Sequence, residues 1–492
     1  MAIRPPSADA ATLPPPALPQ PRPEELRLSE VVSALTVALD VSEGQPAGHA
    51  LRTCVIGMRI GDAFQLDARS RSDLYYALLL KDLGCSSNAA KMHHLFGADE
   101  LHVKRAYKTA DLRTTRDGVR FALSTAGNGA PLHRRMRHFV NVALGRGGGY
   151  TELIRLRAVR GAAYATDMGF SKATADAIRA LDEHYDGGGY PTGLSGEEIP
   201  LLARIACLAQ TVEIFYREGG PDAARAVVAE RNATWFDPRV VAAFDVAQRH
   251  PDFWTSLASE QLGDRVVALE PEERRLLGDD HLIDRLAVAF ARVIDAKSPW
   301  TFRHSERVRD IALGAASQVN GQHTFTPDRV KRLSRAALLH DIGKLGVSNA
   351  LLDKPGRLSD DEMAEVRRYP ALGERILAQV QAFRDLAAMA GEHLHGKNGA
   401  VYSTAERLGA AQLLHFDVRL LAVADRFEAL TSDRPHRPGK SVPAALAELR
   451  AEAGEGVDAV ALGALERFLA TPEAQPILAP KPFDANGIVV VT

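Results

Sequence analysis

Two histidines and two aspartates in the second half of the chain are the residues whose types and surroundings could do chemistry. His340 and Asp341 stand side by side at the end of an apolar run that Gly343 can terminate. His304 lies upstream on the apolar face of a predicted helix, and Asp425 lies downstream in another apolar stripe, where a carboxylate is costly unless a cation pairs with it. Taken singly, such a histidine is more typical of a hydrogen-bonded core residue, and such an aspartate could pair with an arginine or cap a helix.

Helices must position these residues, because apolar side chains recur at 3.6-residue spacing almost everywhere from Leu28 onward. The pattern is clear in residues 28–39 and again in residues 282–293. Residues 488–491 form the one short β-branched run that is typical of a strand. The sequence therefore predicts a mostly α fold.

Composition indicates a soluble, multidomain protein of a reducing compartment. At 492 residues the chain exceeds what a single core usually organises. Its 60 basic and 62 acidic residues leave a net charge of -2, which argues against a chain built to coat nucleic acid or an anionic membrane. The three cysteines are too far apart for a CxxC pair. Residues 1–26 are proline-rich, so we predict that they are disordered, and we find neither a signal peptide nor an apolar span; the expected localisation is cytoplasmic.

An internal repeat decides the predicted architecture. Residues 28–49 align with residues 283–304, and the four residues that begin with Lys81 align with the four that begin with His340. A later block aligns at a smaller offset, so the first copy carries an insert at about residues 95–160. We predict two tandem helical-bundle domains at residues 27–265 and 275–470, followed by a tail at 471–492.

Five segments of the second copy together resemble a known family. Residues 304–308, 340–346, 352–358, 371–373 and 424–435 are similar to the HD superfamily of metal-dependent phosphohydrolases, and more closely to its HD-GYP branch of cyclic-di-GMP phosphodiesterases. The resemblance implies that a divalent ion, Mn, Fe or Mg, is held by four residues: His304, His340, Asp341 and Asp425. It also implies that Lys344 contacts phosphate and that the ion polarises a phosphoryl oxygen and activates water beside Asp341.

The second copy departs from the HD-GYP pattern at the residues that hold a second metal in that branch. Tyr369 replaces a histidine that precedes a proline, and Ala390 and Gly391 replace the two histidines of a His-His-Glu block. We therefore predict that the second metal site is lost and that a one-metal site survives. A shifted alignment, which would misplace the flanking glycine, would bring His393 or His395 back into the site.

The first copy has lost ligands of the first metal site, which the second copy keeps. His49 remains, but Lys81 replaces the HD histidine and Gln210 replaces the last aspartate. A lysine places a positive charge at the position of the ion, so we expect no metal there.

Two further features of the first copy have alternative interpretations. The loop that contains Gly189, Tyr190 and Pro191 keeps the Gly-Tyr-Pro signature, and it is either a turn that packs helices or a surface that docks a protein. Residues 101–160 contain 13 Lys and Arg against 3 Asp and Glu. We favour solvated helix faces over a nucleotide or nucleic-acid surface for these charges, since few aromatic residues accompany them.

These observations support two main hypotheses. The first is a metal-dependent phosphohydrolase that acts on a phosphoester, with cyclic-di-GMP as a candidate. The second is an inactive regulatory scaffold of cyclic-dinucleotide signalling that binds a signalling protein. A homodimer is compatible with both, and a nucleic-acid-binding regulator is the least supported alternative.

Overall fold

Helices form all the regular secondary structure in the residues that the computed structural model describes, which are 27–110, 115–127, 132–143, 149–271, 280–393, 412–454 and 456–478. The predicted mostly α fold is therefore confirmed. Over these ranges, β pairing is limited to isolated bridges. The proline-rich residues 1–26 and the β-branched run at 488–491 lie outside the described residues. None of the helices in the described ranges is both long enough and apolar enough to cross a membrane.

The first half of the chain supplies the helices up to residue 268. They are α1 (Leu28–Ser42), α2 (His49–Ala63), α3 (Ala68–Leu80), α4 (Ala89–Phe96), α5 (Glu100–Thr109), α6 (Thr115–Thr125), α7 (Leu132–Ala143), α8 (Gly149–Asp167), α9 (Lys172–Arg179), α10 (Leu201–Glu230), α11 (Pro238–Ala247), α12 (Phe253–Leu257) and α13 (Leu262–Ala268). Helix α10 is kinked at Gly219 and Gly220, immediately before Pro221.

The second half supplies the remaining helices. They are α14 (Asp280–Asp295), α15 (His304–Ser317), α16 (Pro327–Leu339), α17 (Asn349–Leu352), α18 (Asp360–Val366), α19 (Tyr369–Leu377), α20 (Arg384–Glu392), α21 (Gln412–Thr431), α22 (Val442–Ala451), α23 (Ala459–Leu469) and α24 (Gln475–Leu478). A 3₁₀ turn, Ile342–Gly346, joins α16 to the segment before α17.

The buried apolar side chains of the two halves form one continuous hydrophobic cluster. Helix α1 of the first half packs against the 3₁₀ turn Ile342–Gly346 and against α19, and α8 packs against α14. A second, smaller cluster lies within the insert and includes Phe96, Val103 and Phe121. The two halves therefore share an extensive apolar interface, and the turn after α16 lies at that interface.

The insert is more deeply packed than the sequence indicated. Lys104 is 4% exposed, and the side chain of Lys108 is 6% exposed. The prediction of solvated helix faces is wrong for these two lysines, because both point inward to Glu43, with Lys108 Nζ 2.9 Å from its carboxylate. Arg120 and Arg137, in contrast, are exposed on α6 and α7.

Candidate metal centre

Helix α16 and the 3₁₀ turn after it position His340 and Asp341. The helix begins at Thr326, whose hydroxyl accepts a hydrogen bond from Arg329 N, and Pro327 occupies its first turn. Its apolar face is buried, and His340 follows it as the C-terminal cap. The turn then lies so close to α19 that a Cβ on Gly343 would be 1.9 Å from the carbonyl oxygen of Tyr369. Only glycine allows this approach.

His304 and Asp425 reach the same point from α15 and α21. His304 is the first residue of α15 and is 1% exposed. Its Nε2 lies 3.2 Å from Asp341 Oδ2 and 3.2 Å from Asp425 Oδ1. His340 Nε2 lies 3.4 Å and 3.6 Å from the same two oxygens. The structure thus brings together the four side chains that the sequence analysis singled out.

The other ring nitrogen of each histidine is held by the protein. His304 Nδ1 donates to Glu428 Oε2 at 2.6 Å, and His340 Nδ1 donates to the Ala337 carbonyl at 2.8 Å. This arrangement orients Nε2 inward and is typical of metal-ligating histidines. Nε2 of both rings and Oδ1 of Asp341 are buried and make no hydrogen bond with the described part of the chain. A divalent cation fits this donor set, because it would satisfy all three atoms.

The electrostatics of the cluster also favour a cation. Burial lowers the pKa of the His304 imidazole, but Glu428, Asp341 and Asp425 together raise it well above its ordinary value. Burial likewise raises the pKa of Asp341, and the neighbouring His340 and Lys344 outweigh it, so that this pKa is well below its ordinary value. The carboxylates therefore remain ionised and concentrate negative charge in a buried site.

His393 joins the cluster, although the sequence alignment that we favoured left it out. It caps α20 as His340 caps α16, and its Nδ1 donates to the Ala390 carbonyl three residues earlier, at 2.8 Å. Its Nε2 lies 3.9 Å from Asp341 Oδ1, and His340, His393 and Asp425 form a second group with metal-ligand spacing. Burial lowers the pKa of His393 to about 4, so the ring is neutral at pH 7 and Nε2 carries a lone pair. His395, the other candidate of the shifted alignment, lies outside the described residues.

Two side chains fill the space beside this cluster. The Tyr369 hydroxyl lies 3.3 Å from His393 Nε2, and Lys344 Nζ lies 5.0 Å from the centre of the tyrosine ring. At Gly391, an added Cβ would lie 2.7 Å from Glu374 Oε2, so a larger residue would have to displace Glu374. The replacements at positions 369 and 391 are thus accommodated by local packing.

A cavity of about 500 Å³ opens next to Asp341 and Lys344. Lys344 Nζ donates to Asp341 Oδ2 and is half-buried. The cavity is lined by aliphatic side chains together with one tryptophan, Trp300, and with basic side chains that include Lys344, Lys354, Arg357, Arg434 and His436. Such a lining suits a ligand that carries both phosphate and aromatic groups.

The corresponding cluster of the first half is filled by cations. Lys81 Nζ lies 2.9 Å from His49 Nε2 and pairs with Asp82. Lys108 and Arg157 also reach Asp82 Oδ1, at 3.5 Å and 3.2 Å. Burial raises the pKa of Asp82, but Lys108, Lys81 and Arg157 outweigh this effect and hold it well below its ordinary value. Three buried cations thus surround Asp82 in the first half, whereas the cluster of the second half contains ligand atoms that make no hydrogen bond with the described residues.

The two halves repeat several contacts around these clusters. A buried glutamate accepts from Nδ1 of the leading histidine in each half: Glu213 from His49, and Glu428 from His304. The backbone N–H groups of Ala50 and Ser305 donate to the equivalent aspartates, Asp40 and Asp295. A Cβ on Gly84 would meet Arg157 O at 1.9 Å and Gly161 N at 2.8 Å, and one on Gly343 would meet Tyr369 O and Gly373 N at the same two distances.

The Gly-Tyr-Pro loop of the first half is organised around a buried carboxylate. Glu183 accepts hydrogen bonds from the backbone N–H groups of Thr192, Gly193 and Leu194. Gly189 is buried, and a Cβ there would lie 2.1 Å from His184 N, whereas Tyr190 and Pro191 are half-buried. The loop is therefore a packed turn whose tyrosine and proline still reach the surface.

Comparisons with known proteins agree with this geometry. A family model for the HD domain matches residues 151–240 and 289–460. The 3'3'-cGAMP-specific phosphodiesterase 3 of Vibrio cholerae is 39% identical over 443 residues, which cover 90% of this chain and 94% of that protein. The cyclic di-GMP phosphodiesterase response regulator RpfG of Xanthomonas campestris is 30% identical over 42% of this chain and 54% of its own length. A crystal structure of the V. cholerae cyclic GMP-AMP specific phosphodiesterase V-cGAP3 superposes with a TM-score of 0.61 at 33% identity, covering 91% of this chain and 99% of that one.

Proposed function

This chain belongs to the HD-domain family of phosphohydrolases and is related to its HD-GYP branch, and from that premise we propose that it is a metal-dependent phosphodiesterase of cyclic dinucleotides. One observation carries the proposal. The Nε2 atoms of His304 and His340 are buried, make no hydrogen bond with the described residues, and converge with oxygens of two aspartates at the edge of a cavity that contains several basic side chains. A structural core would leave such atoms hydrogen-bonded.

The proposal assigns a role to each side chain. Four residues would hold a divalent ion, Mn, Fe or Mg: His304, His340, Asp341 and Asp425. His393, neutral and with its Nε2 turned inward, extends this set. When bound, such an ion polarises a phosphoryl oxygen and makes water a better nucleophile. Lys344 binds the phosphate, and the Nδ1 contacts of the histidines keep the ligand atoms oriented before substrate arrives.

The cavity supports a cyclic dinucleotide as the substrate class. Such a molecule carries two phosphates and two bases, and the lining offers Lys354, Arg357 and Arg434 in addition to Lys344, with Trp300 for stacking. The relatives are named for 3'3'-cGAMP and for cyclic di-GMP. Both molecules are therefore candidate substrates of this chain.

A tandem arrangement completes the proposal. The contacts shared by His49 and His304, and by Gly84 and Gly343, support two domains of common origin near residues 27–265 and 275–470. The first domain, with Lys81 in place of a ligand, would be structural or regulatory. Its half-exposed Tyr190 and Pro191 would then offer a docking surface for a signalling protein.

The second candidate function is a regulatory scaffold without catalysis. Tyr369 and Glu374 favour it, because they fill the space in which the HD-GYP pattern would require further ligands. The two functions differ in what they require of the metal and of the substrate.

Metal analysis and a phosphodiesterase assay distinguish these two functions. The protein is purified anaerobically, and its divalent metals are measured beside those of a double variant, His340→Ala with Asp341→Ala. Hydrolysis of 3'3'-cGAMP and of cyclic di-GMP is followed by product chromatography. A bound ion and hydrolysis in the wild type, both lost in the variant, are the expected results. A bound ion without hydrolysis of either dinucleotide would favour the scaffold, and no ion after loading with Mn or Fe would refute the metal centre.

A further inference from the structure

A buried carboxylate of the first half crosses the interface to the candidate active site. Glu100 is the first residue of α5, within the insert, and is fully buried. Its Oε1 accepts from Lys297 Nζ at 3.0 Å, and its Oε2 accepts from Asn349 N at 3.0 Å and from Ser348 Oγ at 3.2 Å. All three donors belong to the second half of the chain.

These contacts reach the turn that carries Lys344 and the residues directly after it. Lys297 Nζ also donates to the Leu345 carbonyl at 3.0 Å, and Leu345 directly follows Lys344. Asn349 donates from Nδ2 to the Lys297 carbonyl at 2.8 Å, which closes the network on itself. Leu345 and residues 348–349, which follow Lys344, are therefore held by groups that Glu100 joins.

The carboxylate of Glu100 in the first half and the ammonium of Lys297 in the second half neutralise each other only when the two halves are in contact. Burial raises the pKa of Glu100, but Lys297 and Lys104 outweigh it and hold this pKa below its ordinary value. Lys297 is 1% exposed, so without Glu100 its ammonium would be buried without its carboxylate partner. The first half also packs closely against the end of the turn, because a Cβ added to Gly346 would lie 2.8 Å from Val41 Cγ1 of α1.

We propose that Glu100 is a positioning residue of the candidate active site, which it serves by holding Lys297 and residues 348–349 and thereby fixing the turn that carries Asp341 and Lys344. This inference rests on the proposed function. The insert thus connects the two halves rigidly. The second half depends on this contact with the first half to keep its phosphate-binding lysine ordered.

Three variants and one control test the inference on the full-length, metal-loaded protein. They are Glu100→Gln, Lys297→Gln, the double variant and Asp167→Asn. Asp167 lies 3.0 Å from Arg292 of α14 across the same interface, but its side chain is exposed, unlike that of Glu100. Melting temperature, bound metal, kcat/KM on the cyclic dinucleotide that the wild type hydrolyses, and hydrogen exchange of residues 342–349 are measured for each.

We expect Glu100→Gln to retain the metal and to lose about 10- to 100-fold in kcat/KM, as a displacement of about 1 Å does in other sites. The double variant, which buries no unpaired charge, should regain melting temperature without regaining kcat/KM. Asp167→Asn should match the wild type. Recovery of kcat/KM together with stability in the double variant, or unchanged kcat/KM and exchange in Glu100→Gln, would overturn the inference.

Failure of the proposed function gives a different pattern. If the wild type hydrolyses neither dinucleotide, the phosphodiesterase proposal fails, and hydrogen exchange alone decides the positioning role. Faster exchange of residues 342–349 in Glu100→Gln and in the double variant, with none in Asp167→Asn, would support it. Equal exchange in the wild type and all four variants would refute it.

Discussion

Glu428 offers a quantitative test of the metal centre, because it supports a ligand without being one. The residue is fully buried on α21, and its Oε2 accepts from His304 Nδ1 at 2.6 Å. Its Oε1 accepts from Ser432 Oγ at 2.6 Å, and Arg434 Nη2 lies 3.4 Å from Oε2. We predict that Glu428→Gln weakens metal binding, because the amide has one acceptor oxygen where the carboxylate has two, and its NH2 group would face a group that is itself a donor.

The size of the effect follows from these contacts. Loss of the carboxylate that orients a ligating histidine typically costs 10- to 100-fold in metal affinity, or about 1.4 to 2.7 kcal/mol. An additional cost of about 1–3 kcal/mol in folding stability is expected, because one buried donor loses its acceptor. Metal affinity should therefore fall about 10- to 100-fold, and the melting temperature should fall as well.

Competition with a chelator of known affinity measures the first quantity, and thermal unfolding of the metal-free protein measures the second. The chain contains its own control in Glu213→Gln, which removes the same contact from His49 in the first half, where Lys81 fills the ion position. That variant should lose stability and retain the full metal affinity. Equal metal affinities of Glu428→Gln and the wild type would refute the reasoning, as would equal losses in both variants.

Three further predictions concern packing, charge and pH. Gly343→Ala should lower the free energy of unfolding by about 3 kcal/mol in denaturant titrations, because its Cβ would meet backbone at 1.9 Å, whereas Gly356→Ala, with open space around it, should leave that free energy unchanged. Lys81→His should restore the His-Asp pair and still bind no metal by elemental analysis, because two other buried cations remain beside Asp82. Burial raises the pKa of Asp40 to about 7, against the opposing effect of Lys81, so its folded form holds the proton more tightly than the unfolded chain. Urea unfolding should show the stability of the wild type falling relative to Asp40→Asn as the pH rises from about 4 to 7.

The sequence was sufficient to predict the helices and four of the clustered side chains. Apolar spacing specifies which helix face is buried, and a histidine or aspartate on that face must point inward, as His304 and Asp425 do. His393 was harder to place, because its alignment depends on gaps in residues that follow α20. Its signal was local: like His340, it directly follows a helix whose carbonyl three residues earlier accepts its Nδ1.

The role of the insert was beyond sequence reasoning for a different reason. The sequence predicted Lys104 and Lys108 to be surface charges, because no neighbouring residue indicates that Glu43, at the end of α1, lies beside them. The buried contacts of Glu100 could not be predicted either, since its partners are about 200 or more positions away along the chain. Buried ion pairs between distant segments leave no periodic pattern, so they become visible only in the folded chain.

The packing of Glu374 over Gly391 means that a larger side chain could enter position 391 only if Glu374 moved. A histidine introduced at 391 would collide with the Glu374 carboxylate, and shortening Glu374 first would leave a gap beside the glycine. Each single step is unfavourable, and only the pair of changes restores a well-packed arrangement. Residues 374 and 391 are therefore coupled, so the effect of a substitution at one position depends on the residue at the other.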